Sequence, residues 1–119
     1  MYGFPSDLDL SAAVGQETTQ ICIGPYDLQF SLGPIGFTIQ SRVELYRDGT
    51  ALATWQAGEW PEPAFYSVFS KPVSAVKVAS ERRLCITLEG GLELHVLDTS
   101  QEYESLQIYV QDTSGPYII

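Results

Sequence analysis

The chain has 119 residues, 45% of them apolar, with 15 acidic against 6 basic residues for a net charge of -9. That length allows one domain with one core. The charge balance excludes the clustered Lys and Arg that nucleic-acid binding needs, since counterion release drives most of that affinity. Seven Tyr, five Phe and two Trp are globular values. The apolar residues fall in strand-length runs and never in a membrane-spanning stretch of about 18. The N-terminus has no basic region leading into an apolar one, so it does not read as a signal peptide, and the cytoplasm is the default compartment. Cys22 and Cys85 are then expected as free thiols, with a bridge across one sheet face also open. Two cysteines and one histidine are too few for the usual structural zinc site, and no cofactor is expected.

In chain order, residues 6–15 read as a short helix. Ser6 suits the N-cap, Asp7 and Asp9 the positive end of the dipole, and Gly15 the stop. Leu10, Ala13 and Val14 share its apolar face. A strand over 17–23 turns Ile21 and Ile23 inward. Leu28, Phe30 and Leu32 alternate with polar residues, Gly33-Pro34 turns the chain, and Ile35, Phe37 and Ile39 alternate again. Val43 to Arg47 and Thr50 to Trp55 form a hairpin closed by Asp48-Gly49. Residues 56–63 make a connection containing Gly58, Pro61 and Pro63, and 62–70 read as a second helix with Phe65, Val68 and Phe69 inward. Lys71-Pro72 ends it. After a strand over 73–78 comes the best-defined hairpin, Leu84 to Val96, its two arms alternating about Gly90-Gly91. A two-residue turn there places Cys85 near Val96 and only diagonal to His95. Strands over 105–110 and 116–119 follow.

The two halves repeat. Leu10, Ala13 and Val14 stand 55 positions before Phe65, Val68 and Phe69, as Ile21 and Ile23 do before Val76 and Val78. With small shifts, residues 28–32, 35–39 and 43–45 match 84–88, 92–96 and 106–108. The sequence therefore predicts an α+β, mainly antiparallel β domain made of two pseudo-repeats, 6–56 and 61–119. Two curved meander sheets share one core with two short helices over the ends or edges; a partly closed barrel is the alternative.

The run Gln20-Ile21-Cys22-Ile23-Gly24, then Leu28 and Phe30, and later Tyr103-Glu104-Ser105-Leu106-Gln107-Ile108 carries a resemblance across most of the chain. It resembles a family of small bacterial proteins of about this length, known as a domain of unknown function. Small acidic families of this kind resemble immunity proteins of bacterial toxin systems, which implies a binding role; the resemblance brings no catalytic residues.

Candidate chemistry is thin. Asp98, Glu102 and Glu104, with Asp112 nearby, could supply oxygens to Ca²⁺ or Mg²⁺, but their spacing fits no known loop, and a solvated, capped connection is the better reading. His95 lies on the polar face beside Glu93 and reads as an exposed sheet histidine. A pair with Cys85 or Cys22 lacks an orienting third group. Phosphate loops, nucleophile elbows and paired-carboxylate spacings are absent. The aromatic and acidic connection stands out: Trp55, Glu59, Trp60, Glu62 and Tyr66 make a candidate binding patch for a basic protein. The sequence thus points to a non-enzymatic binding protein, with a basic protein partner or self-association, and neither nucleic acid nor membrane. Its alternative is a small-molecule binder or enzyme with a cleft at the repeat junction.

Overall fold

The computed structural model describes residues 3–99 and 106–110, and the backbone of 117–118. Alternation dictates most of it. Strands β1 (Cys22–Ile23), β2 (Leu28–Leu32) and β3 (Ile35–Ile39) are joined by tight turns, as are β4 (Arg42–Arg47) and β5 (Thr50–Trp55). So are β6 (Val73–Ser80), β7 (Arg83–Leu88) and β8 (Leu92–Leu97); β9 (Leu106–Val110) and β10 (Tyr117–Ile118) close the chain. The strands form two five-stranded antiparallel sheets that are not closed into a barrel. The first runs β1-β2-β3-β9-β10 and the second β6-β7-β8-β4-β5. The chain therefore crosses between sheets twice, after β3 and after β8.

Each sheet has one apolar face, and the two faces form one buried cluster. Leu28, Leu32, Ile35 and Ile39 from the first sheet meet Val43, Leu45, Leu84, Ile86, Leu92 and Val96 from the second, all fully or nearly fully buried. Phe30 and Phe37 stack at 4.8 Å on adjacent strands. Asp48-Gly49 closes its hairpin with both residues at positive φ, as a type I′ turn requires.

Three local expectations are corrected. The turn between β7 and β8 holds three residues, Glu89, Gly90 and Gly91, because Leu88 pairs with Leu92. Cys85 consequently stands directly opposite His95, not Val96. The strand expected over 17–23 shrinks to Cys22–Ile23, since only these two residues face β2. The preceding segment instead bonds across the molecule, with Ser70 N–H donating to the Thr18 carbonyl and Val73 N–H to that of Gln16.

The two expected helices are 3₁₀ turns, Ser11–Ala13 and Pro63–Val68. In the first, Ser6 makes no cap. The Asp9 carboxylate accepts the Ser11 N–H at 2.9 Å, a local turn that competes with helix. The second starts at Pro63 but ends at Phe69, whose backbone is extended, ahead of Ser70 at φ +60. With three residues per turn, i and i+3 eclipse and i+4 falls away. Leu10 with Ala13, and Phe65 with Val68, are buried accordingly, while Val14 is exposed and Phe69 only half-buried. Among the described residues no helix is long and apolar enough to cross a membrane.

Candidate functional site

Of the five residues in the predicted patch, three come together. Trp60, Glu62 and Tyr66 line a groove of about 180 Å³ with Pro61, Phe65 and Phe69, and Ile21 and Ile23 of the β1 edge lie in its wall. Trp60 is 81% exposed and Tyr66 75%. Tyr66 packs edge-on against Phe69, ring centroids 5.4 Å apart, which supports its ring with the outer face free. Pro61 and Pro63 stiffen the chain on either side of Glu62, so these side chains sit on a pre-formed support. Glu62 is the groove's charge.

Trp55 does not belong to this patch. Its relative exposure is zero: β5 pairs it with Val43, in phase with Ala53, and its indole N–H donates to the Glu59 carbonyl at 2.9 Å. Glu59 is exposed, but its carboxylate accepts the Gln56 N–H at 3.1 Å and shapes the turn after β5. Both residues build the connection that presents Trp60. Ile21 and Ile23 went unrecognised in the sequence, where their alternation reads as core. The polar run Thr18-Thr19-Gln20 just before them was the available signal of a sheet edge.

The outer face of the second sheet carries a polar network. Glu44 accepts from Arg42 Nε (2.8 Å), Tyr46 Oη (2.7 Å) and Arg83 Nη1 (3.1 Å). Arg83 Nη1 also lies 2.7 Å from His95 Nδ1, and His95 Nε2 lies 3.4 Å from Glu93. Arginine can only donate, so Nδ1 accepts and Nε2 carries the hydrogen toward Glu93. The histidine expected to be exposed is half-buried, with its ring 4.6 Å from that of Tyr46. Burial, reinforced by the Glu93 charge, pushes the Cys85 thiol above its ordinary pKa, opposite to what a nucleophile needs. Cys22 and Cys85 are free and lie on different sheets, which removes the bridge across one face.

Burial works against the Glu44 charge, but its hydrogen bonds from Tyr46, Arg42 and Arg83 hold the carboxyl down at about 2. A folded pKa below the unfolded one stabilises above the unfolded value and loses that contribution as pH falls through the folded value. Glu44→Gln is therefore expected to cost on the order of 1 kcal/mol at pH 7, discounted for solvent screening. The gap from the parent should close between the ordinary value of 4.5 and about 2. Urea denaturation of both proteins across that range checks this; a gap independent of pH contradicts it.

Asp98, expected in a solvated link, is buried. Its Oδ2 accepts the Gly3 N–H at 2.7 Å and Arg82 Nη1 at 3.0 Å, tying the N-terminal segment to the β6–β7 turn. Glu102, Glu104 and Asp112 lie outside the described residues. Among the described residues no three His, Cys, Asp or Glu side chains converge as a metal set. Between the sheets, where a junction cleft was the alternative, the interior space is about 20 Å³ and lined almost wholly by apolar side chains. That is too small for a substrate.

No family model matches the sequence, and no curated protein or solved structure matches the chain.

Proposed function

We propose that the chain is a non-enzymatic protein-binding module built from two copies of one unit, 6–56 and 61–119, and that it binds through the Trp60–Tyr66 groove. The observation that carries this reading is an exposed aromatic pair over an apolar groove in one copy and not in the other.

Support for the copies is geometric. A shift of 55 turns the bond from Gly15 N–H to the Val73 carbonyl (2.7 Å) into that from Ser70 N–H to the Thr18 carbonyl (2.9 Å). Val14 and Phe69 end their 3₁₀ turns with nearly the same dihedrals, followed by Gly15 and Ser70, both at positive φ. Strand registers repeat as well. Cys22 with Gln29 corresponds to Lys77 with Cys85, and Leu28 with Ile39 to Leu84 with Val96. Ile39 with Leu106 corresponds to Val96 with Val43. Each unit thus lends its last two strands to the other's sheet.

The first copy is then an internal control. Pro5, Asp7 and Ser11 stand where the second copy has Trp60, Glu62 and Tyr66. The last 3₁₀ turn, Ser11–Ala13 in one and 66–68 in the other, forms in both, so that turn does not require the aromatics. Large exposed aromatics around apolar floor residues, with a carboxylate in the wall, match the anchors of protein interfaces. A net charge of -9 favours a basic partner and speeds its encounter. An immunity-type role, masking the basic surface of a bacterial toxin, fits this chemistry.

The test is capture from the native host, with the parent chain and the Trp60→Ala/Tyr66→Ala double variant as baits. The expected result is a basic protein retained by the parent, released by salt and absent from the variant. Equal retention on both baits, or retention on neither, contradicts the reading.

A further inference from the structure

The two sheets present equivalent outer faces that have been filled differently. On the second sheet one rung reads Thr87–Glu93–Tyr46 and the next Cys85–His95–Glu44. Of these, Glu44, Tyr46, Glu93 and His95 join Arg42 and Arg83 in the ionic network described above. On the first sheet the corresponding rungs read Ser31–Gly36–Tyr109 and Gln29–Thr38–Gln107. Here there is no charge in either rung, and a hollow of about 470 Å³ lies over them, bordered by the 17–20 segment. The comparison rests on strand register alone and does not depend on how the two halves arose.

Gly36 sits in the floor of this hollow, in the middle of the central strand β3. Its φ is outside the left-handed region that calls for glycine. A Cβ built there would meet only Ser31 Oγ and Tyr109 Cβ, each at 3.9 Å, an ordinary contact distance. Neither backbone conformation nor internal packing requires glycine, and a glycine within a strand weakens it. The glycine leaves a bare strip of backbone in the floor, open to close approach from outside.

We propose that this hollow binds a neutral polyhydroxylated ligand, a mono- or disaccharide. Ser31 and Thr38 carry hydroxyls that both donate and accept hydrogen bonds, matching ligand hydroxyls that do the same; Gln29, whose amide donates to Asp27, and Tyr109, whose hydroxyl donates to Gln107, add oxygens that accept. Among the described lining residues an anion would find no cation, and Glu17 supplies a negative charge. An apolar ligand would cover the Ser31 and Thr38 hydroxyls without pairing them, which costs more than its contact returns. Tyr109, 44% exposed, offers a ring face beside the open floor at Gly36. The volume lies within the range of small-ligand sites, roughly 300–1,000 Å³.

The experiment is amide chemical-shift mapping on the full chain, titrated with glucose, N-acetylglucosamine, maltose, cellobiose and lactose, and with glucose 6-phosphate as the charged comparison. At least one neutral sugar should give saturable shifts centred on Gln29, Ser31, Gly36, Thr38 and Tyr109, and the phosphate should give none there. Gly36→Val fills the hollow with a residue that suits a strand. It should weaken binding about tenfold or more while leaving Tm equal to or above that of the parent. Trp60→Ala should leave sugar binding unchanged, which separates this site from the protein-binding groove. Absence of shifts with every neutral sugar, shifts centred elsewhere, preference for the phosphate, or a Gly36→Val protein with lowered Tm would each overturn the proposal.

Discussion

Trp55→Ala is expected to cost about 3–5 kcal/mol of stability, while Trp60→Ala moves it by no more than about 0.5 kcal/mol. The two tryptophans lie five residues apart, Trp55 at the end of β5 and Trp60 in the connection after it. Trp55 has zero exposure, stands opposite Val43 at the rim of the core and holds the Glu59 carbonyl. Truncating it removes the largest fully buried side chain, leaves a cavity and strips that carbonyl of its donor. Trp55→Phe keeps much of the ring volume and loses the N–H, so about 1–2 kcal/mol is expected. Denaturant unfolding followed by circular dichroism gives each value. Acrylamide quenching of the single-tryptophan proteins gives the matching optical result: Trp60 accessible, Trp55 shielded. A destabilisation by Trp60→Ala as large as that by Trp55→Ala would place both in the core and remove the basis for the groove.

The second large effect is at Asp98. Its carboxylate is wholly buried and accepts hydrogen bonds from Gly3 N–H and Arg82. Asp98→Ala takes a buried acceptor away from the Gly3 N–H and Arg82, among its partners, and about 2–4 kcal/mol is expected. Asp98→Asn keeps a carbonyl oxygen of the same reach and should recover part of that. Gly3 sits at φ +89 with its Cβ position 3.0 Å from the Glu81 carbonyl, so a side chain there would be strained. Hydrogen exchange at the Phe4 amide, bonded to the Glu81 carbonyl at 2.6 Å, reports the local loss. If Phe4 exchange and global stability are both unchanged in Asp98→Ala, the anchor is not one.

Alternation carried most of the architecture. Every residue assigned inward in β2, β3, β7 and β8 is buried, because period-2 patterning places a whole strand face at once. The same phase extends to two further residues. Ala53 and Trp55 share the inward phase of β5, and Asp98 continues that of Leu92, Leu94 and Val96. Composition alone puts Trp55 with the loop and Asp98 with the link; strand phase puts both inside. Other features had no local signal. Whether Leu10, Ala13 and Val14 form an α-helix or a 3₁₀ turn is decided by one Asp9 side-chain bond and by packing. That β4 pairs with β8, and β3 with β9, is a contact between distant strands whose alternation is equally compatible with other partners. The candidate groove was readable only as composition; its walls come from the β1 edge, some 40 residues away in the chain.

If Trp60 and Tyr66 anchor a basic protein, its affinity must fall when both rings are removed. The most direct measurement is the Kd of the captured partner, purified, for the parent and for Trp60→Ala/Tyr66→Ala, at low and high salt. Two interface anchors worth about 1.5 kcal/mol or more each predict a loss of about 100-fold or greater. Parent affinity should also fall as salt rises, through weaker encounter. Equal affinity of the parent and the double variant, with both proteins folded, would contradict the account.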